Sequence, residues 1–116
     1  MTRVKRGKTK NKKRKRILKE TKGYRHRQNS HKRAAKEALT HAGRNAYKDR
    51  KRKKREMRRK WQVIINAALT DTELSYSQFV HRLKENDITL NRKVLAEIAR
   101  DKPASFHALV ESIAKD

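Results

Sequence analysis

The 116-residue chain contains no cysteine, which excludes disulfides and the thiolate zinc sites of many small nucleic-acid modules. Glycine is nearly as scarce. Gly7, Gly23 and Gly43 are too scattered for a phosphate-cradling loop. Long apolar runs are also missing. None approaches the roughly 18 residues of a spanning helix, and the basic stretches lack the apolar face of an interfacial helix, so no membrane partner is expected. Residues 1–16 are dominated by charge without an apolar run or amphipathic stripe, so neither a signal peptide nor an organelle transit peptide is expected there. Alternating strand patterns and hairpin dipeptides do not occur. The five histidines (His26, His31, His41, His81 and His107) stand at no metal-ligand spacing with a carboxylate. Nothing pairs a nucleophile with a base. The expectation is a protein that is not an enzyme and has no catalytic, cofactor or metal residues.

What the chain does have is positive charge. Thirty-five Lys and Arg face 12 Asp and Glu, for a formal charge of +23. Such an excess repels itself and calls for a polyanionic partner, nucleic acid first. The excess is confined to one half. Residues 1–60 hold 28 basic and 4 acidic residues (Glu20, Glu37, Asp49 and Glu56), a net of +24, whereas residues 61–116 hold 7 and 8, a net of −1. Large apolar residues divide at the same place. Alanine aside, eight lie in residues 1–60 and nineteen in residues 61–116, beginning with Trp61. The first segment is too poor in apolar surface to offset its ordering entropy. Residues 1–60 therefore read as a basic extension and 61–116 as a small globular domain.

Helix signals recur throughout, so the expected fold class is all-α. Residues 10–22 are good helix formers, with Gly23 placed to stop them. Ser30 is a candidate cap for a second helix. No proline follows before Leu69, and Ala35, Leu39, Ala42 and Ala46 form a narrow helical stripe, giving one helix of roughly forty residues. The last part breaks into short helices. Trp61, Ile65, Ala68 and Leu69 share a face, and Thr70–Leu74 reads as a break. Ser75 with Gln78 resembles a capping box ahead of Tyr76, Phe79, Val80 and Leu83. Asn91 caps a helix carrying Val94, Leu95 and Ile98. Pro103 suits a first turn, with Asp101 at its positive end, ahead of Phe106, Leu109, Val110 and Ile113. These faces are expected to meet in one helical core.

The basic run at 48–60 carries ten basic residues in thirteen. At about 100° per residue, positions 50 to 55 alone go around the helix. Such a helix has no side to lay on protein, and like charges at i, i+4, such as Arg50–Lys54 and Arg55–Arg59, weaken it in isolation. Phosphates on several sides at once would relieve this. Duplex DNA offers a groove to one helix face. Compactly folded RNA can surround a helix and is met through phosphates, shape and 2′-hydroxyls. RNA is therefore the expected partner, and the alternative is a linker-histone-like basic protein that compacts DNA.

The expected RNA contacts follow the charge. Arg3, Lys5 and Arg6 open the chain. Lys12, Lys13, Arg14, Lys15 and Arg16 form a run without an acid. Lys22, Arg25 and Arg27 surround Tyr24, while Lys32, Arg33 and Arg44 lie on the long helix. Lys48, Arg50, Lys51, Arg52, Lys53 and Lys54 follow, then Arg55, Arg58 and Arg59. Tyr24 and Tyr47 sit in basic surroundings, where a ring either stacks on bases or packs on its own helix stem.

Specific residues carry a resemblance. MTRVKRG (1–7), KGYRHR (22–27), Tyr47, Asp49 and Arg50, and the basic run into Trp61 resemble the bacterial and organellar large-subunit ribosomal protein family numbered twenty. So do INAA (65–68), SYSQF (75–79), LNRKVLAEIA (90–99) and the closing Ala104, Phe106, Leu109 and Val110. The likeness runs in order through essentially the whole chain. It departs at Gln62 and Ile64, where the family commonly has an apolar residue and an arginine, and at Thr70–Leu74, which lacks the usual glycine. The resemblance implies a long helical extension threaded into large-subunit (23S-type) ribosomal RNA and a small helical domain beyond it. It also implies a structural role needed for early subunit assembly rather than for peptidyl transfer. In some bacteria the globular domain also binds its own mRNA and represses translation. Neighbouring large-subunit proteins are implied partners. The implied location is the cytoplasmic ribosome of a bacterium or an organellar ribosome. In the globular domain, Asn91, Arg92 and Lys93 match and are the implied RNA contacts.

Overall fold

A computed structural model describes residues 2–114, and among them every regular element is helical. The order is α1 (Gly7–Glu20), a 3-10 turn (His26–Asn29), α2 (Lys32–Ala68), α3 (Tyr76–Glu85), α4 (Arg92–Asp101) and α5 (Pro103–Ala114). The chain divides into two compact units between Lys51 and Arg52, inside α2.

In the first unit, α1 starts at Gly7 and ends at Glu20, a few residues before the span that residue preferences suggest. Thr21 closes it. Its N–H donates to the Ile17 carbonyl at 3.3 Å, and its hydroxyl donates to the Leu18 carbonyl at 3.3 Å. Gly23 follows in the left-handed region at φ 92°, the conformation that glycine adopts without a Cβ clash. Thr21 and Ala35 are fully buried, and Ile17, Leu18, Tyr24, Ala34, Ala38 and Leu39 are partly covered. One expectation needs correction here. Ser30 does not cap α2. His31 precedes the helix and its carbonyl accepts from the Ala35 N–H at 2.8 Å, while the Ser30 hydroxyl pairs with the His31 ring at 2.9 Å. The alanine stripe is covered only at its start, since Ala42 and Ala46 are exposed.

The second unit holds the apolar core. The buried side chains of Ile65 and Leu69 on α2, Phe79 and Leu83 on α3, Leu95 on α4, and Phe106, Val110 and Ile113 on α5 form one cluster, with α5 packed on both α3 and α4. The rings of Phe79 and Phe106 lie 5.6 Å apart, tilted by 49°. Both are fully buried. Trp61, Ile64, Ala68, Tyr76, Val80, Ile98 and Leu109 pack around the cluster. Val94 is half-buried, whereas Ala96 and Ala99 on the same helix are buried.

Local chemistry sets the helix ends. Ser75 and Gln78 form the expected capping box. The Gln78 N–H donates to Ser75 Oγ at 3.4 Å, and the Ser75 N–H donates to Gln78 Oε1 at 2.9 Å. Asn91 caps α4 by accepting from the Val94 N–H at 2.9 Å. The Arg82 guanidinium on α3 donates to the Ile113 and Ala114 carbonyls at 3.2 and 3.1 Å, satisfying two groups that the end of α5 leaves without helical partners. Asp101 does not serve the positive end of α5. It ends α4, and its carboxylate is held at 2.8 and 3.1 Å by Arg100. That hydrogen bond keeps the exposed Asp101 carboxyl below its usual range. The small stabilisation it gives is present at neutral pH and is lost as acid titrates the carboxyl.

Candidate nucleic-acid interface

Every basic residue of the 48–60 run lies on α2 and is exposed. More generally, no residue from Thr40 to Glu56 is covered by protein, so several consecutive turns present all their faces. Helices are ordinarily held by an apolar face packed on a neighbour. Here no apolar face of that kind is present. The sequence supplies almost no internal neutralisation. Arg52 Nε meets Glu56 at 2.8 Å, with both side chains largely in solvent. Exposed pairs of this kind contribute only about 0.3–0.5 kcal/mol, and among the described residues the other cations of this run form no salt bridge.

The remaining basic residues of the first unit are equally open. Arg3, Lys5 and Arg6 precede α1, and Lys12, Lys13, Arg14, Lys15 and Arg16 lie on it, all exposed. Arg14 donates to the Ser30 carbonyl at 3.4 Å, so part of its guanidinium is engaged within the chain. Lys22 and Arg25 lie in the connection after α1, and Arg27 lies in the 3-10 turn. His26 in the same turn has φ 58°, a left-handed conformation that non-glycine residues rarely adopt. Lys32 and Arg33 occupy the first turn of α2, which has no acid. Cations at this positive helix end are unfavourable unless an anion lies nearby. Arg44 is exposed further along.

The two tyrosines differ. Tyr24 is half-buried, and its N–H donates to the Thr21 carbonyl at 3.0 Å. Tyr47 is 55% exposed, with Lys51 Nζ 4.5 Å from its ring centroid. One face of the Tyr47 ring therefore carries a cation. Lys8, Lys10, Lys19, Lys36 and Lys60 are as exposed as the cations singled out from runs and motifs. They escape a reading by runs because they stand apart or end one.

In the second unit, Asn91, Arg92 and Lys93 are brought together at the start of α4. The Asn91 side-chain oxygen is committed to its cap. Arg92 Nε donates to the Tyr76 hydroxyl at 2.9 Å, which fixes the guanidinium against α3. Lys93 lies 3.9 Å from Glu97 on the exposed side of α4. Asn91 and Arg92 also border a cleft of about 430 Å³ that Val80, Leu83, Ile88 and Leu95 line. Ile64, where the family commonly has an arginine, packs against the apolar cluster. Among the described residues no group of His, Asp and Glu is arranged to hold a metal ion, and no helix is long and apolar enough to cross a membrane.

Known proteins resemble this chain over nearly its full length. The family model described as ribosomal protein L20 matches residues 3–109. The large ribosomal subunit protein bL20 of Acaryochloris marina is 49% identical over 115 residues, covering 99% of both chains. That of a Bradyrhizobium strain is 47% identical over 111 residues, covering 96% of this chain and 93% of its own. That of Nostoc punctiforme is 50% identical over 111 residues, covering 96% and 94%. With a family match over nearly its full length and relatives at about half identity, the chain belongs to the ribosomal protein L20 family.

Proposed function

We propose that this chain is a structural constituent of the large ribosomal subunit that binds 23S-type ribosomal RNA directly, chiefly through residues 1–60. The observation that carries the reading is the run of α2 turns with cations on every face and no protein against any of them. A groove-docking helix needs one basic face and leaves the other to solvent. An enclosed helix needs cations all round, and folded RNA can enclose it. Residues 61–116 then form a small helical domain whose outer surface adds contacts at Asn91, Arg92 and Lys93.

The role is architectural. A cationic helix enclosed by phosphates lowers the repulsion between RNA segments that must pack together, so it acts while the subunit RNA is folding. This fits an early assembly function rather than peptidyl transfer. Neighbouring large-subunit proteins are the further partners. The location that follows is the ribosome, in the bacterial cytoplasm or in an organelle.

Sedimentation tests the reading. The chain, expressed at native level in a bacterial host and fractionated on sucrose gradients, is expected in the large-subunit and whole-ribosome fractions. Depleting it should accumulate incomplete large-subunit particles. Recovery with chromosomal DNA, as a linker-histone-like protein requires, would contradict it.

A further inference from the structure

One face of the second unit is not explained by charge or by core packing. Arg59, Gln62, Val63 and Asn66 follow one another on α2 at i, i+3, i+4 and i+7. Together with Tyr76 of α3 they line a recess of about 320 Å³. Val63 is 63% exposed, although an apolar residue so placed gains nothing from the fold. Beside it, among the described residues, the side-chain amides of Gln62 and Asn66 make no hydrogen bond. Tyr76 is half-buried, and its hydroxyl is held by Arg92, which lies sixteen residues further along the chain. The recess therefore offers a held aromatic ring and an exposed apolar side chain. Two free amides and the flanking guanidinium of Arg59 complete it, and Arg92 meets the ring at its hydroxyl.

These groups do not suit a phosphate alone. Amides carry no charge, and a phosphate site of this size would be built from Lys and Arg. They do not suit an apolar protein side chain either, which would bury both amides without partners. A nucleobase satisfies both. Its flat faces pack on aromatic and apolar surface, and its edge offers donors and acceptors side by side. Asn and Gln, each with a donor and an acceptor, match that edge in pairs. A base in a continuous helix cannot reach such a recess, whereas an unstacked one in a loop or bulge can.

We propose that the recess of Arg59, Gln62, Val63, Asn66 and Tyr76 seats one unstacked nucleobase of the bound RNA, with Gln62 and Asn66 reading its edge and Arg59 and Arg92 taking the adjoining phosphates. The inference rests on the RNA-binding reading above and adds a base-specific contact to a surface that is otherwise electrostatic.

The test uses the full chain and transcribed large-subunit ribosomal RNA. Binding of the unaltered chain is measured first as a function of salt, so a failure of the RNA reading itself would show as absence of binding. Gln62→Leu with Asn66→Leu places good helix formers at one half-buried and one exposed position of α2. Thermal unfolding is recorded to confirm that the fold is retained. The double variant is expected to bind about 10–100-fold more weakly with an unchanged salt slope, because no phosphate contact is lost. Lys48→Gln is the control, lowering the slope by about 0.7–0.9. Because the chain has no cysteine, Val63→Cys also gives a single thiol for a photoreactive benzophenone label. Crosslinking is expected at one unpaired nucleotide. Undiminished affinity in the double variant, or crosslinks spread over paired segments, would overturn the proposal.

Discussion

A chain lacking residues 1–60 is expected to lose nearly all of the salt dependence of RNA binding and most of the affinity. The removed segment has 28 of the 35 basic residues and 4 of the 12 acids, and what remains is close to neutral. Each neutralised phosphate contributes about 0.7–0.9 to the slope of log affinity against log salt. If only ten of the cations meet phosphates, the slope is about 7–9. The full chain then loses roughly 10⁴–10⁵-fold in affinity between 50 and 200 mM salt. The shortened chain should show a slope of about 2 or less. Loss of fold is not the reason, because the apolar cluster from Ile65 to Ile113 lies wholly within the retained residues. Filter binding across a salt series reads both slopes. An unchanged slope would put the electrostatic contact in the wrong half of the chain.

The second large effect concerns stability. Phe79→Ala or Phe106→Ala is expected to abolish cooperative unfolding of the globular part at 37 °C. Both rings are fully buried and lie against each other. Truncating such a ring costs about 3–5 kcal/mol through lost transfer energy and the cavity left behind. A core of this size supplies about 3–5 kcal/mol in total, so either change alone consumes it. Circular dichroism would show helix loss in α3, α4 and α5 without a thermal transition. Phe79→Leu, which keeps most of the volume, should retain a transition at lower temperature. A Phe106→Ala chain melting within a few degrees of the unaltered one would show that the core is wider than these two rings.

Much of this organisation is legible in the residues themselves, for definable reasons. The long helix follows from the absence of proline between Ser30 and Leu69, and α2 spans Lys32–Ala68. The capping box at Ser75 and Gln78 and the cap at Asn91 are local, so spacing alone identifies them. The failures come from neighbours that spacing rules do not weigh. Ser30 has the right chemistry for a cap, but its hydroxyl is taken by His31. Asp101 is drawn to Arg100 and into the preceding helix. Ala96 and Ala99 are invisible to a count of large apolar residues, yet they are buried on the helix against which α5 packs. At the interface, a run of cations announces itself because charge needs no partner to be counted. The recess at Gln62, Asn66 and Tyr76 does not, because it depends on α3 bringing Tyr76 against α2.

The central claim is that the basic half is made for folded RNA rather than for polyanions at large. Equilibrium competition tests it most directly, with labelled large-subunit ribosomal RNA bound to the full chain and displaced by unlabelled RNA or by random-sequence duplex DNA at one fixed salt concentration. A helix enclosed on all sides predicts that the duplex competes at least tenfold more weakly per phosphate than the folded RNA. Equal competition by the two would contradict the account and favour a protein that coats DNA.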